Sequence, residues 1–180
     1  MEREKALEIL KSKLKNERII KHLFAVESCM RALSQKFGGD EERWALAGLF
    51  HDIDYEETKN DPSLHGIKGA EFLEKYGISK DILYAIKAHA GNAQPRRKMD
   101  IALLSSDAAS GLIVASALVN KGGLRELDTS FVLKRFKEKR FAEGADRKLI
   151  ERCQDLGLTL EEFISICLLG MKEIANVLDI

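Results

Sequence analysis

Residues 44–55 read WALAGLFHDIDY. An uncharged run, Trp44 to Phe50, leads straight into a His-Asp pair, His51-Asp52. With Glu41 as its start, the run predicts a helix over 41–50 that is apolar nearly all round. Such a helix belongs in the core of a larger assembly of helices rather than on a surface. Adjacent side chains on a continuing helix point about 100° apart, so His51 and Asp52 converge on one partner only where the helix ends. Imidazole and carboxylate are ligand types that divalent metals accept. The stretch therefore predicts an all-α fold in which an apolar helix carries metal ligands inward at its C-terminal end.

The flanking sequence extends the pattern. Only two prolines occur, Pro62 and Pro95, and no segment alternates with the period of a strand. Leu14, Ile19, Leu23, Val26, Met30 and Leu33 form the stripe of an amphipathic helix closed by Gly38-Gly39. Asp61-Pro62-Ser63 predicts a helix start and Gly77 its end, because proline suits a first helical turn. Ser79 is the expected cap of a helix through His89, followed by a polar loop to Lys98. Met99–Val119 is a long apolar helix expected to cross the core. Farther on, Phe131–Arg140 is basic and amphipathic, and Thr159-Leu160-Glu161-Glu162 reads as the capping box of a last helix. Residues 1–125 are expected to form a helical bundle, with 126–180 a helical C-terminal extension packed on it as part of one structural domain.

Composition bounds the class. The 180 residues, 45% hydrophobic and 32% charged, suit a single globular domain. Lys plus Arg equals Asp plus Glu at 29 each, so no net field draws the chain to nucleic acid or to a membrane, and neither is an expected partner. Cys29, Cys153 and Cys167 lie in apolar helical contexts with no CxxC pair, as buried reduced thiols do. The start MEREKALEIL is unlike a signal peptide, and no apolar run is expected to reach the roughly 20 residues of a membrane span. The expected location is the cytoplasm.

The chain has four histidines, and all of them join one series: His22, His51-Asp52, His65, His89 and then Asp107. Asp107 falls near the buried face of an apolar helix, where an unpaired carboxylate is costly. Four imidazoles and two carboxylates exceed what one tetrahedral ion needs, which points to two ions sharing a bridging carboxylate.

His22, the His51-Asp52 dyad and Asp107 resemble the H…HD…D signature of the HD superfamily of metal-dependent phosphohydrolases. The run LAGLFHDIDY is similar to that family's second helix and HD turn. LHGIKGAEFL around His65 and ILYAIKAHAG around His89 resemble the extended pattern of members with dinuclear centres, such as bacterial diadenosine tetraphosphate hydrolases. The resemblance covers roughly residues 18–120. It implies an HD-domain helical bundle in which Asp52 bridges two divalent ions (Fe, Mn, Ni, Co, Zn or Mg). His22, His51 and Asp107 then hold one ion, and His65 and His89 the other. It also implies hydrolysis of a nucleotide or other small phosphate ester by a metal-activated water, with no protein nucleophile.

Asp54 and Glu56 are candidate acceptors for the ligand imidazole N–H groups. An anionic substrate needs cations. Arg18 lies one turn before His22 and Lys68 three residues after His65, each on its ligand's face. Arg96, Arg97 and Lys98 follow His89 in a loop expected to rim the cleft. Lys68, with Asp52, is thus a candidate catalytic residue, and Arg18, Lys68, Arg96 and Arg97 are candidate substrate contacts. Two other classes fit the same ligands: a catalytically silent metal-containing regulatory or binding protein, and a di-iron oxygenase of the same fold.

Overall fold

A computed structural model describes all residues, Met1–Ile180. The chain is helical throughout and contains no strand. Helix α1 (Arg3–Lys13) buries Ala6, Ile9 and Leu10. The apolar stripe anticipated from Leu14 onward is interrupted. Leu14 is extended, at φ −115°, and the Asn16 side chain starts a new helix by accepting from Arg18 N. The Glu56 carboxylate holds the break by accepting from the N–H groups of Lys15 and Asn16, both at 2.8 Å. Glu56 is thereby a structural cap and not a partner of any ligand.

Helix α2 (Glu17–Phe37) and helix α3 (Glu41–Phe50) form the first half of the core. Asp40 caps α3 through Arg43 N, and every α3 residue from Trp44 to Phe50 is buried. Gly48 is what lets the two helices approach: a Cβ there would stand 2.8 Å from the Glu27 Cα. After α3 come the short α4 (Tyr55–Thr58), a 3-10 turn at Pro62–Leu64 and α5 (Ile67–Glu74). Pro62 therefore starts a turn, not the helix. His65 is extended and Gly66 lies at φ 73°, so α5 begins only at Ile67. Its first N–H groups are satisfied from a distance, because Asp54 Oδ2 accepts from Gly66 N (2.8 Å) and Gly69 N (2.7 Å). No local signal at residues 61–66 encodes that cap.

Helix α6 (Lys80–His89) and helix α7 (Lys98–Val119) start side by side, with Arg97 at the start of α7 donating to the Asp81 carbonyl at the start of α6. The expectation that no segment reaches membrane-spanning length and apolarity is corrected by α7. Its 22 residues have a mean hydropathy of 1.7 over the most apolar window, yet 61% of that window is buried inside the bundle. It passes the composition test because it is a central core helix, and the buried Asp100 sits within it.

The remaining helices are α8 (Thr129–Lys137), α9 (Arg147–Glu151, continued by a 3-10 turn to Leu156), α10 (Leu160–Glu173) and α11 (Ala175–Leu178). Thr159 and Glu162 form the capping box of α10 as the sequence indicates. Helix α10 lies on α2 and α8, while α9 and its 3-10 turn lie on α7. Gly170 makes the α10–α2 contact close, since a Cβ there would stand 2.5 Å from the Ser28 carbonyl oxygen. One hydrophobic core runs from Ala6 to Leu178 and draws on both the first 125 residues and the last 55. The three cysteines are buried and unpaired.

Candidate metal centre

Five backbone segments bring the ligand series together. His22 comes from the middle of α2, His51 and Asp52 from the end of α3, and His65 from the extended link before α5. His89 is the last residue of α6, and Asp107 lies midway along α7. Asp52 occupies the centre. Its Oδ1 lies 3.0 Å from His65 Nε2, 3.2 Å from His89 Nε2 and 3.5 Å from His51 Nε2. Its Oδ2 faces His22 Nε2 at 3.9 Å. On that side Asp107 Oδ1 lies 3.0 Å from His22 Nε2 and 3.6 Å from His51 Nε2. All six residues assigned as ligands in the sequence converge.

The outer faces of the imidazoles decide their tautomers. His51 Nδ1 lies 2.8 Å from the Gly48 carbonyl, and His89 Nδ1 bonds the Ile86 carbonyl. Both acceptors are among the last four carbonyls of a helix, which lack intrahelical partners. His65 Nδ1 lies 2.9 Å from Asp54 Oδ1. The Ser110 hydroxyl donates to the Asp107 carbonyl (2.9 Å), which frees its oxygen to accept from His22 Nδ1 at 3.2 Å. Each Nδ1 thus carries its proton outward, and each Nε2 points a lone pair at the centre. Two Nε2 pairs result, His22 with His51 and His65 with His89, each 3.2 Å apart. Lone pairs facing each other at that distance need a proton or a cation between them. The donor set therefore fits divalent metal, with one such demand on each side of Asp52.

Electrostatics agree. Burial opposes charge on His51, but Asp52 and Asp107 outweigh it and raise its pKa to about 9. Burial likewise opposes charge on His65, and Asp52 with Asp54 raises it to about 10. Asp52 is held well below the usual carboxylate range, burial notwithstanding, by His51, His65 and His89. Asp107 is held below it, against burial, by His22 and His51. Without metal, protons on imidazoles balance the carboxylates; a divalent ion would take the place of those protons.

The candidate substrate cations separate into two sets. Lys68 is half-buried in the first turn of α5, and Arg18 is exposed one turn before His22. Arg96 and Arg97 are not brought to the centre. Arg97 donates to Asp81 O and to Asp100, and both guanidinium groups lie over the Tyr84 ring. Asp81 precedes His89 by eight residues, about 12 Å along α6 at 1.5 Å per residue. The loop after His89 returns along α6 instead of rimming the cleft, and Arg97 holds the start of α7. Sequence reasoning missed Ser110 and the Gly48 and Ile86 carbonyls. The signal for them is regular: each stands three residues from a ligand on the same helical face.

A cavity of about 370 Å³ opens beside His22 and Asp107, with its far wall supplied by the segment from Ala142 to Leu149. That segment is also absent from the sequence-based site.

Proteins named Ribonuclease Y are similar to this chain: that of Oleidesulfovibrio alaskensis is 32% identical over 96 residues, 53% of this chain and 18% of its own length. Those of Sulfurovum sp. and Aliarcobacter butzleri are each 32% identical over 117 residues, 65% of this chain and 21% of theirs. The chain thus matches about a fifth of the length of these relatives. None of them is a diadenosine tetraphosphate hydrolase by name, so that narrower likeness gains no support from them. No solved structure matches the chain. The sequence profile of the HD domain matches residues 19–112, the stretch that holds all six converging ligands, and the chain belongs to the HD domain family.

Proposed function

We propose that the protein is a metal-dependent phosphohydrolase or phosphodiesterase acting on a nucleotide or other small phosphate ester. The observation that carries this is the pair of close Nε2 contacts flanking Asp52, each 3.2 Å, with every Nδ1 proton engaged outward. His22, His51 and Asp107 would hold one divalent ion and His65 and His89 a second, with Asp52 between them. When bound, such ions activate water near neutral pH and neutralise phosphoryl charge. The protein's own part is to orient the ligands, through Ser110, Asp54 and the Gly48 and Ile86 carbonyls. Lys68 and Arg18 would grip the substrate anion. All three cysteines are buried in the core, and the Ser110 hydroxyl is engaged by the Asp107 carbonyl and His22 Nδ1, so the reading assigns no side chain as nucleophile.

A second reading is cleavage of phosphodiesters in RNA, favoured by the similarity to proteins named Ribonuclease Y. The balanced charge of the chain, 29 basic and 29 acidic residues, supports a small ester over a long polyanion. A panel of nucleotides, generic phosphate esters and short single-stranded RNA, assayed with Mn, Fe, Ni, Co and Mg, distinguishes the two. His51→Ala should lose both metal and turnover. Full activity in His51→Ala would end the hydrolytic reading.

A further inference from the structure

The cavity beside the centre is built by two parts of the chain that differ in character. Its floor and near wall are His22, Asp107, Ala108 and Gly111; its far wall lies within residues 142–149 of the C-terminal extension. The far wall is a fixed structure. The Arg147 guanidinium donates to the carbonyls of Phe136 (3.3 Å), Ala142 (2.7 Å) and Ala145 (2.7 Å) and to that of Phe141, and lies over the Phe136 ring. Within this set of bonds Ala142 lies at φ 47°, a conformation uncommon for a non-glycine residue. Asp146 caps α9 through Lys148 N, and Ser105 ties α9 to α7 by donating to the Leu149 carbonyl at 3.0 Å.

The lining chemistry selects what enters. No lysine or arginine lines the cavity, and Asp146 lines it as a carboxylate. A phosphate group is therefore repelled from the cavity and drawn to the centre next to it. Small side chains, Ala and Gly on both walls, leave room for an uncharged group, and about 370 Å³ is at the lower end of the roughly 300–1,000 Å³ of small-molecule sites. We propose that this cavity, walled on one side by the Arg147-pinned segment, is the subsite for the nucleoside part of a nucleotide whose phosphate sits at the centre. The inference rests on the nucleotide reading above and assigns specificity to the C-terminal extension, which lies outside the HD-matched residues 19–112. A cavity of about 360 Å³ between α2 and α10 shares no residue with the centre and has no part in it.

Gly111 and Gly144 allow a test from opposite walls, because a Cβ at either would meet no atom within 4 Å. Gly111→Leu and Gly144→Leu should fold and reduce the cavity. Calorimetric titration of the Mn-loaded protein with AMP, GMP, CMP and UMP, and with inorganic phosphate, reads the subsite without needing turnover. The expected result is nucleotide binding at least about tenfold weaker in both variants, with phosphate binding and Mn content equal to wild type. Wild-type affinity for nucleotides in both variants would overturn the subsite. So would a wild type that binds nucleotides no better than phosphate. Loss of the hydrolytic reading shows separately, as absence of metal-dependent turnover in a wild type that still discriminates nucleotide from phosphate.

Discussion

The two sides of the centre are built by different means. On the side of His22, His51 and Asp107, the ligands stand on α2, α3 and α7, and their supports are separate: Gly48 O, three residues away on the same helix, for His51, and the Ser110 hydroxyl, across from α7, for His22. One local support and one from a neighbouring helix share the work on that side. On the other side, His65 lies in extended backbone between a 3-10 turn and α5. Its orientation depends on Asp54, 3% exposed, which also caps α5 through Gly66 and Gly69. One buried carboxylate thus carries both the ligand and the start of the helix behind it. The first side is robust because its restraints are divided between two residues, whereas on the second side His89 keeps a local support in the Ile86 carbonyl but His65 depends on a single residue.

The largest expected effect is that of Asp54→Asn. The amide keeps the shape but removes the charge that holds the His65 Nδ1 proton, and outer-shell changes of this kind cost roughly 10–100-fold in metal affinity. On the two-ion reading proposed above, metal content should fall toward one ion per chain, with the His22 side retained. Elemental analysis at graded free Mn measures it; two ions bound at wild-type affinity would show that both sides are equally supported.

Acidity gives a second probe, in protein stripped of metal. The folded pKa values of His51 and His65 are raised from 6.5 to about 9 and about 10. Their contribution to stability is complete below pH 6.5 and is lost as pH rises through those values. The Tm of the metal-free protein should accordingly fall between pH 7 and pH 10, while the gain in Tm on adding metal grows over the same range. Asp52 and Asp107, held low, act in the opposite sense, and their contribution is lost only in acid. A metal-free Tm that is flat from pH 7 to 10 would contradict the charge balance described for the centre.

The smallest expected effect is at the substrate side. Lys68→Ala should leave metal content unchanged and raise KM several-fold with little change in kcat, because a phosphate contact present in ground and transition states alike is lost. Arg97→Ala should instead lower stability, by leaving the fully buried Asp100 carboxylate with only the backbone N–H groups of Arg96 and Arg97 as partners, without moving KM. Steady-state kinetics and thermal melts on the two variants separate a cleft residue from a helix-capping one.

Much of the centre was legible because its residue types are uncommon in this chain: with only four histidines, none was left for other uses. Helix α3 and the α10 capping box were equally legible, since apolar runs and caps act within a few residues. The misreadings share one cause. Leu14 continues the α2 stripe in sequence, yet Glu56, forty residues later, stabilises a break beside it. Arg96 and Arg97 follow His89 closely, but the loop turns back along α6 and carries them away. Pro62 is a good helix start locally, but α5 begins where Asp54 can reach its N–H groups.

Residue pattern alone was enough for the helical class and for the order of the candidate ligands, because helical periodicity and metal preference are properties of neighbouring residues and of side-chain chemistry. Tertiary structure decided which atoms meet. His22 and Asp107 reach one point only because α2 and α3 cross closely enough for Gly48 to lie against the backbone of Glu27, and because α7 is buried among them. It also decided that a segment after residue 140 walls the cavity at the centre. Such approaches depend on packing between residues distant in the chain, which no local pattern encodes.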